Sequence, residues 1–390
     1  MEKRDKQKPL RIVVYAPLGV GGVTNLMLAI QKNLDPEKLV FDYLVVHDRK
    51  EPMEDTITSL GSKKIVASAD NISFRPIRGI LRLFIIRRVC KEHNIKILHF
   101  NSGAAMNVLT VIAAKLGGVK HVTFHSHNGG MANEGSFAKP ISWLCKPIMP
   151  LFIDSFWACS KLAAEFSFPR RVVENNRYLF VPNGIELEKF RYNSDLRNSV
   201  RSELGVNGKF VIGNVGRFSF QKNHTFLVDV FRRVKEVKEN AVLILFGEGP
   251  ELENVKRKVA NLELSDAVIF YGTTNYMNKM YQAIDVLVMP SLFEGFPVTG
   301  VEAQASGLPC IFSDTITKEL AIGDNVKYVS LNSPIDIWRD AVLSYENCER
   351  VSSSNIEKLR LAGFDQKKMV EDFQAFYISV GKKLGLYNGE

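Results

Sequence analysis

Two glutamates, Glu294 and Glu302, stand eight positions apart after an apolar run at 286–290. The glycine and proline between them predict an extended turn, with a helix starting near Val298. One carboxylate then lies in a loop and the other one turn into the helix, beside backbone N–H groups that favour an anion. A loop carboxylate can accept hydrogen bonds from sugar hydroxyls, and one in the first helical turns can hold a ribose diol. By themselves, the two acids also fit a solvated helix face.

A second candidate is the basic pair Arg217 and Lys222, which follows Gly216 at the end of the apolar segment 209–215. In a parallel α/β sheet, the turn after such a strand borders the crevice where ligands bind. A guanidinium fork and a nearby ammonium are the groups expected to neutralise a diphosphate leaving group. Two basic residues in a loop can equally be solvated side chains without a ligand.

A histidine pair closes the apolar strand predicted at 121–125. Its place at the carboxyl end of a parallel strand directs His125 into the ligand crevice, and strand alternation puts His127 on the same side. Two imidazoles can begin a metal site, but neither Asp nor Glu follows nearby to complete the ligands. His127 also fits a structural histidine whose hydrogen bonds are satisfied.

A glycine-rich turn at 19–22 follows the first predicted strand and precedes a helical pattern. The backbone N–H groups of Gly21 and Gly22 at that helix start can face an anion. Thr24 occupies the position where the dinucleotide fingerprint has Gly or Ala, which weakens the case for a dehydrogenase. A tight turn that needs positive φ is the structural alternative.

Short apolar segments alternate with helical patterns twice along the chain, as in βαβ units with a parallel sheet. The first series starts at Leu10 and the second at Lys209, each with a glycine-bearing turn after its first strand. We therefore expect an α/β protein of two Rossmann-like, doubly wound domains that face a central cleft. Residues 1–175 form the predicted first domain and 176–365 the second, and a terminal helix within 366–390 can cross back onto the first.

The remaining predicted strands are 41–47, 65–67, 97–99 and 121–125 in the first series, and 241–246, 268–271, 286–290, 309–312 and 327–330 in the second.

Composition fits a globular protein large enough for two domains, with 390 residues of which 46% are apolar and 24% charged. The net charge of +9 belongs to the first half, because residues 1–170 hold 24 Lys/Arg against 14 Asp/Glu. This half should attract an acidic partner. Five scattered cysteines without a CxxC pair indicate reduced thiols. The polar run at the N-terminus has no apolar h-region behind it, so we expect no secretory signal, and no window reaches the roughly 18 uninterrupted apolar residues of a spanning helix. We therefore expect a cytoplasmic protein.

Five motifs follow one another along the chain: Asn183-Gly184-Ile185, Gly216-Arg217-x4-Lys222, Gly247-Glu248-Gly249-Pro250, Tyr271-Gly272, and Pro290-Ser291-x2-Glu294-Gly-Phe-Pro-x4-Glu302-Ala-x2-Ser-Gly307-x-Pro309. Their order and spacing resemble the retaining GT-B glycosyltransferases of glycosyltransferase family 4, especially those that build bacterial capsule and exopolysaccharide chains. The resemblance covers residues 10–385 and is more specific in the second half.

The resemblance implies a role for each candidate residue. Glu294 corresponds to the carboxylate at the donor sugar, and Glu302 to the carboxylate at the ribose. Arg217 and Lys222 correspond to the cations on the diphosphate, and His125 to the active-site histidine. The other implied donor-binding residues are Gly21, Gly22, Gly216, Tyr271, Phe296, Pro297, Val298 and Thr299.

The resemblance also implies the reaction. A hexose or N-acetylhexosamine would pass from a nucleotide diphospho-sugar, with UDP expected, to a saccharide or polyprenyl-diphosphate-linked acceptor held by the first domain. The anomeric configuration would be retained, and the leaving diphosphate would help to deprotonate the incoming hydroxyl. Arg217, Lys222 and the helix start at 296–299 can stabilise the developing charge. Because the chain contains no Asp-x-Asp, we expect no metal, and no cofactor besides the donor.

A helical run at 75–91 carries much of the basic excess and mixes six cations with bulky apolar residues. Such a helix is typical of a membrane-surface element, which would place the protein at the inner face of the plasma membrane near a lipid-linked acceptor. The alternative is a crossover helix that buries its apolar side chains, namely Ile80, Leu83, Phe84 and Ile86. No nucleic-acid-binding motif accompanies the charge, so nucleic acid is not an expected partner.

Other functions share parts of this pattern. A UDP-sugar 2-epimerase has the same two-domain fold, but the Glu-x7-Glu and Arg-x4-Lys pairs fit the transferases better. A non-catalytic sugar-nucleotide-binding subunit is disfavoured because the candidate residues are intact, namely Glu294, Arg217, Lys222 and His125. A dehydrogenase ranks third.

Overall fold

The computed structural model describes residues 8–19, 21–127, 138–350 and 352–389. The chain divides into two compact units. The first contains residues 1–184 together with 366–390, and the second contains residues 185–365. Each unit is built around one parallel β-sheet.

The first unit has a seven-stranded parallel sheet with the strand order β3-β2-β1-β4-β5-β6-β7. β2 and β4 are buried at every position, because helices cover the sheet and leave no solvent-facing side. The strands are β1 (Leu10–Tyr15), β2 (Leu39–Val45), β3 (Lys64–Val66), β4 (Ile97–Asn101), β5 (His121–Ser126), β6 (Ser155–Ala158) and β7 (Leu179–Phe180).

The helices of this unit follow its strands and include the C-terminal helix of the chain. They are α1 (Gly22–Asn33), α2 (Glu54–Ser59), α3 (Arg75–Glu92), α4 (Val108–Leu116), α5 (Ala138–Cys145), α6 (Met149–Phe152), α7 (Lys161–Ser167), α8 (Arg170–Glu174) and α16 (Gln366–Lys383). In α16, Phe373, Tyr377 and Val380 are buried in one apolar cluster with Ile12 and Phe41. The terminal helix therefore completes the core of the first unit.

The second unit repeats the same topology with six parallel strands in the order β10-β9-β8-β11-β12-β13. The strands are β8 (Phe210–Val215), β9 (Ala241–Phe246), β10 (Val268–Gly272), β11 (Val286–Met289), β12 (Cys310–Ser313) and β13 (Val326–Val329). The helices are α9 (Ser194–Glu203), α10 (His224–Val237), α11 (Leu252–Asn261), α12 (Met277–Ala283), α13 (Val298–Ala305), α14 (Ile335–Leu343) and α15 (Ser352–Leu361). Two Rossmann-like α/β domains, as predicted from the sequence, are confirmed.

The strand order reverses once in each sheet, between β1 and β4 in the first unit and between β8 and β11 in the second. The loops that leave two such strands run in opposite directions, which opens a crevice at their carboxyl ends. The predicted basic pair follows β8 and Glu294 follows β11. The fold therefore brings these two segments to one switch point.

The predicted domain boundary at 175/176 lies too early in the chain. β7 pairs with Trp157 and Ala158 of β6, so the chain leaves the first sheet only after this strand. Neither β6 nor β7 was among the predicted strands. β6 has four residues, and both residues of β7 are exposed, so neither shows a strong apolar pattern. No helix among the described residues combines the length and apolarity needed to cross a bilayer.

Candidate active site

The switch point of the second sheet brings Lys222 and Glu294 together. Nζ of Lys222 lies 2.6 Å from Oε1 of Glu294, and the glutamate side chain is nearly inaccessible to solvent. Lys222 ends a short 3-10 turn after β8, whereas Glu294 lies in the loop after β11. A charge-assisted hydrogen bond in a poorly solvated site is stronger than one at the surface. The Lys222–Glu294 bond therefore fixes the two loops relative to each other.

Glu294 has further partners that orient its carboxylate. The hydroxyl of Ser291 donates to Oε1 at 2.7 Å, and Nε2 of Gln221 donates to Oε2 at 3.1 Å. A carboxylate offers about four acceptor positions, and Lys222, Ser291 and Gln221 use three. One position on Oε2 is left for a hydroxyl of a ligand. The Lys222 ammonium likewise has further N–H groups beyond the one on Glu294.

Glycines explain how the loops approach so closely. A Cβ on Gly216 would lie 3.2 Å from the methylenes of Lys222, which cross over this glycine. Gly247 has φ +137°, and a Cβ there would lie 2.1 Å from the carbonyl oxygen of Gly216. A Cβ on Gly249 would lie 2.3 Å from the carbonyl oxygen of Phe218. The Gly-Glu-Gly-Pro motif therefore lets the loop after β9 press against the loop that carries the basic pair.

The loop after β12 supports Ser291, a relationship that the sequence analysis missed. The hydroxyls of Ser313 and Thr315 donate to the carbonyl oxygen of Ser291 at 2.6 and 2.7 Å. These bonds fix the backbone from which Ser291 reaches Glu294. No local sequence signal marks them, because the partners meet only through the pairing of β11 with β12.

Arg217 has a different environment from Lys222. Its side chain is exposed, and none of the described residues forms a hydrogen bond or ion pair with it. The guanidinium is therefore available to a ligand at the carboxyl end of β8. Lys222 is tied to the protein through its contact with Glu294, whereas Arg217 has no such contact among the described residues.

The helix α13 begins at Val298 with Pro297 as its N-cap, as predicted. Its first N–H groups, including those of Val298 and Thr299, have no acceptor within the helix and can face an anion. The helix is held close to β12, because a Cβ on Gly300 would lie 2.8 Å from a methyl of Leu320 and 3.1 Å from the ring of Phe312.

Phe296 is buried and stacks on Phe364, with ring centroids 5.3 Å apart. The side chain of Phe296 therefore packs the loop, and only its backbone can contribute to the site. Tyr271 lies on the edge strand β10, which β9 separates from β8. The centroid of its ring is 5.1 Å from the ring centroid of Phe246. The structure does not bring Tyr271 into contact with the Lys222–Glu294 pair.

Glu302 forms a second carboxylate site on α13. Its Oε2 accepts a hydrogen bond of 2.9 Å from the hydroxyl of Tyr281 on α12, a partner that the sequence did not reveal. Burial raises the pKa of Glu302 to about 7, and the bond from Tyr281 offsets part of this rise. The carboxyl group therefore gains or loses its proton near neutral pH.

In the first unit, His125 is completely buried on β5 and lies beside His127, with ring centroids 4.0 Å apart. Nδ1 of His125 is 3.3 Å from Nε2 of His99, a partner that the sequence analysis did not identify. Burial lowers the pKa of His125 far below its ordinary value, and His127 and His99 lower it further. His125 is therefore a neutral imidazole.

His127 donates to an asparagine whose orientation is defined. Nδ2 of Asn101 donates to the carbonyl oxygen of Tyr15 at 3.2 Å, so Oδ1 of the same amide faces Nε2 of His127 at 2.8 Å. Burial lowers the pKa of His127 to about 4. His127 thus has the satisfied hydrogen bond of a structural histidine, and no group of three or more metal-binding side chains occurs in the described ranges.

Gly21 and Gly22 start α1 and are exposed. Gly21 is extended, with φ −175°, so the alternative of a positive-φ turn does not hold for it. A Cβ on either glycine would meet nothing within 4 Å. The described fold therefore does not require glycine at these two positions, which leaves close approach of a ligand as a reason for them.

The second unit matches a known family. Residues 197–358 match the family model described as glycosyl transferases group 1. This range contains both carboxylates, the basic pair and the helix start of α13. The match therefore covers the part of the chain in which the sequence motifs were most specific.

Two curated relatives extend the similarity to most of the chain. EpsF of Bacillus subtilis (strain 168), assigned as a glycosyltransferase, is 29% identical over 380 residues, which cover 96% of this chain and 95% of that protein. The UDP-Gal:alpha-D-GlcNAc-diphosphoundecaprenol alpha-1,3-galactosyltransferase of Escherichia coli is 26% identical over 360 residues, covering 87% of this chain and 89% of that protein.

A solved structure shows the same fold. HepE from Anabaena in complex with UDP superposes with a TM-score of 0.75 at 15% sequence identity, covering 96% of this chain and 100% of that chain. Residues 197–358 thus resemble the group 1 glycosyltransferases, and the two relatives extend a similarity to sugar transferases along most of the chain. The superposition on HepE supports the GT-B fold.

Proposed function

We propose that the chain is a retaining glycosyltransferase that moves a hexose or N-acetylhexosamine from a nucleotide diphospho-sugar, with UDP as the nucleotide, to a saccharide or lipid-linked saccharide acceptor. The similar E. coli enzyme is named for a UDP-sugar donor and a diphosphoundecaprenol acceptor, and HepE was crystallised with UDP. A role in capsule or exopolysaccharide synthesis rests on the motif resemblance. The observation that carries the proposal is the Lys222–Glu294 pair at the switch point of the second sheet.

The proposed chemistry follows from the unused hydrogen-bonding capacity of this pair. The remaining N–H groups of Lys222, the free guanidinium of Arg217 and the start of α13 would bind the diphosphate and stabilise its charge as the glycosidic bond breaks. The open acceptor position on Glu294 would take a sugar hydroxyl. Glu302 would hold the ribose diol through the oxygen that Tyr281 leaves free. The departing diphosphate would then accept the proton of the incoming hydroxyl on the same face.

A thermal-shift screen against nucleotide diphospho-sugars tests donor binding. A ligand that binds only the folded protein, present at 100 times its Kd, adds about 2.7 kcal/mol to the free energy of unfolding. We expect a higher Tm with one or more UDP-sugars and a smaller shift with the matching free sugar. A panel in which no nucleotide diphospho-sugar changes the Tm would contradict the proposal.

We also propose that transfer needs no metal, because Arg217, Lys222 and the start of α13 can supply the positive charge that a cation would otherwise provide. Activity should be unchanged in excess chelator. Loss of activity that magnesium or manganese restores would show that this part of the proposal is wrong.

Glu302 should couple nucleotide binding to proton release. Ribose hydroxyls that donate to the ionised carboxylate favour that form and so lower its pKa from about 7. The complex then binds fewer protons than the free protein, so affinity should rise with pH up to about 7 and level off above it. Calorimetry of UDP binding in buffers of different ionisation enthalpy measures this release directly.

The matched variant is Glu302→Gln, which keeps the size of the side chain but cannot ionise. It should bind UDP about tenfold more weakly at pH 8, from the loss of a hydrogen bond to a charged group. It should also lose the proton release near pH 6. Equal proton release from the variant and the parent protein would assign the effect to another group.

Gly21→Ala tests the glycine-rich turn. Since the added methyl meets no atom of the described protein, the free energy of unfolding should change by no more than about 0.5 kcal/mol. Activity should fall about tenfold, because the methyl would occupy space that a ligand approaches. Lys32→Ala, at an exposed residue in the last turn of the same helix α1, is the control and should leave activity unchanged. Full activity of Gly21→Ala would remove this turn from the site.

The exposure of the apolar side chains of α3 bears on the two interpretations of this helix. The crossover alternative is correct for Ile86, which is fully buried, and wrong for Ile80 and Phe84, which are 59% and 62% exposed. Together with Phe74 and Ile77, which are also exposed, they follow a helical spacing and form one apolar stripe (Phe74, Ile77, Ile80 and Phe84). An exposed apolar stripe on a helix rich in arginine favours contact with a membrane surface.

We propose that this apolar stripe and its arginines bind the protein to an anionic bilayer, where a lipid-linked acceptor would be found. Co-sedimentation should be stronger with phosphatidylglycerol vesicles than with phosphatidylcholine vesicles. Ile80→Ser/Phe84→Ser should weaken it more than tenfold, since each side chain contributes about 1.5–3 kcal/mol when buried. Leu361→Ser, at an 88% exposed leucine of α15, is the control. Binding that ignores both the lipid charge and the double substitution would contradict the proposal.

A further inference from the structure

The first unit contains a cavity of about 460 Å³ that is lined by residues of α5, of the turn after α5, and of α7 and α8. This volume lies within the roughly 300–1,000 Å³ typical of small-molecule sites. The buried wall of the α5–α8 cavity is apolar, because Phe168 and Pro169 are buried and Val173 is half-buried. The described residues that line it include no candidate active-site residue. It is therefore a separate feature of the first unit.

The polar lining of the cavity combines two cations with two carboxylates, namely Lys146, Arg170, Glu165 and Glu174. Nε of Arg170 donates to Oε1 of Glu174 at 2.6 Å. A guanidinium and a carboxylate each have more hydrogen-bonding positions than this one bond uses. The carboxylate of Glu165 lies 3.9 Å from Nζ of Lys161, which is too far for a hydrogen bond. The lining therefore offers both donors and acceptors, and its four charges sum to zero.

Trp143 on α5 adds an aromatic face beside these polar groups. The residue is 74% exposed, although an indole ring loses free energy when its apolar area stays in water. The face of an aromatic ring carries partial negative charge, which attracts weakly positive C–H groups. One face of a pyranose presents such C–H groups, and its edge presents hydroxyls that both donate and accept hydrogen bonds. The cavity thus has a complementary group for each part of a sugar ring.

The balance of charge favours a saccharide over the two other kinds of partner that such a lining could attract. A phosphate would be drawn to Lys146 and Arg170 but repelled by the two carboxylates beside them. An anionic bilayer would meet the same repulsion, and it contacts protruding side chains rather than a cavity. A neutral ligand with many hydroxyls can use the cations as donors and the carboxylates as acceptors.

We infer that the α5–α8 cavity is a second saccharide site, which binds a sugar of the acceptor glycan other than the sugar that receives the transferred hexose. A glycan held at this site has a higher effective concentration at the active site, so longer acceptors should bind more tightly than single sugars. The role toward the acceptor rests on the proposed function. Binding of a saccharide to the cavity does not, and it can be measured without a donor.

Trp143 provides the signal for the test. The chain has three tryptophans, and Trp157 and Trp338 are 2% and 0% exposed, so iodide should quench mainly the fluorescence of Trp143. The probes are maltotetraose, galactotetraose and chitotetraose, which represent hexoses and an N-acetylhexosamine. We expect at least one of them, at saturation, to abolish most of the iodide quenching.

Arg170→Ala/Glu174→Ala removes an exposed ion pair without changing the net charge. It should raise the concentration of tetrasaccharide needed for half-maximal protection about tenfold, because hydrogen bonds to charged groups are lost. Leu144→Ser is the control, since Leu144 is 65% exposed on the same helix as Trp143 but does not line the cavity. It should leave this concentration unchanged.

Failure of all three tetrasaccharides to protect Trp143 would overturn the inference, and so would equal protection in the double variant. Protection by phosphatidylglycerol vesicles but by no saccharide would instead assign Trp143 to a membrane-binding surface. In transfer assays with the protecting tetrasaccharide as acceptor, Trp143→Ala should raise the KM for this acceptor about tenfold, through the loss of the aromatic contact. An unchanged KM would contradict the acceptor role. Protection of Trp143 in a protein that transfers no sugar would contradict the proposed function and leave the saccharide site standing.

Discussion

Replacing Lys222 by methionine is expected to lower the transfer rate by about 10²–10³-fold, the loss typical when a group that stabilises transition-state charge is removed. It should also lower the free energy of unfolding, because Glu294 would keep its buried charge without the ammonium at 2.6 Å. Loss of one partner from a fully buried pair costs about 3–5 kcal/mol. In the parent protein the Lys222 side chain is 16% exposed, and in the variant Ser291 and Gln221 still donate to Glu294. We therefore expect a smaller loss, of about 2 kcal/mol in the free energy of unfolding.

The double variant Lys222→Met/Glu294→Gln separates the two effects. Glutamine at position 294 removes the unpaired charge, so urea denaturation should show recovery of most of the lost stability. Steady-state rates should remain as low as in the single variant, because neither the diphosphate cation nor the carboxylate has been restored. Recovery of activity together with stability would mean that the pair is only structural.

Arg217→Ala is expected to have the second-largest effect and to act on activity alone. The guanidinium is exposed and has no protein partner in the described ranges, so its removal should change the free energy of unfolding by no more than about 0.5 kcal/mol. If it stabilises charge on the leaving diphosphate, kcat/KM should fall about 100-fold or more. Steady-state kinetics and urea denaturation of the same preparation measure both quantities.

The control for this prediction is Arg257→Ala, another exposed arginine of the second unit, on α11. It removes the same charge from a helix rather than from the loop after β8, and it should leave the rate unchanged. Equal loss of activity in both variants would indicate a general effect of net charge rather than a contact with the donor.

The sequence predicts the strands and helices better than it predicts which side chains contact one another. Most strands are visible because they are short apolar runs between helical patterns, and α13 starts at the predicted residue because a proline precedes it. The contact between Lys222 and Glu294 joins residues 72 positions apart and exists only because β8 pairs with β11. That adjacency is a property of the sheet order, which no local pattern contains.

The sequence did not reveal the other hydrogen-bond partners of the candidate residues either. Tyr377 reaches His99 across 278 positions, and it does so because α16 returns to the first unit. Tyr281 was inconspicuous as one aromatic residue in an ordinary helix, although it hydrogen-bonds to Glu302. In α3, apolar periodicity identified the helix but did not distinguish covered from exposed side chains. Burial of Ile86 and exposure of Phe84 depend on which neighbours cover the helix.

The most direct test of the central claim measures release of UDP from the UDP-sugar that gives the largest thermal shift, with and without saccharide and polyprenyl-diphosphate-linked acceptors. We expect UDP release only when a suitable acceptor is present, with a product whose new linkage keeps the anomeric configuration of the donor. UDP release without acceptor, with conversion of the sugar at C2, would indicate an epimerase. Tight binding of the UDP-sugar without turnover in the presence of any acceptor of the panel would contradict the assignment as an enzyme.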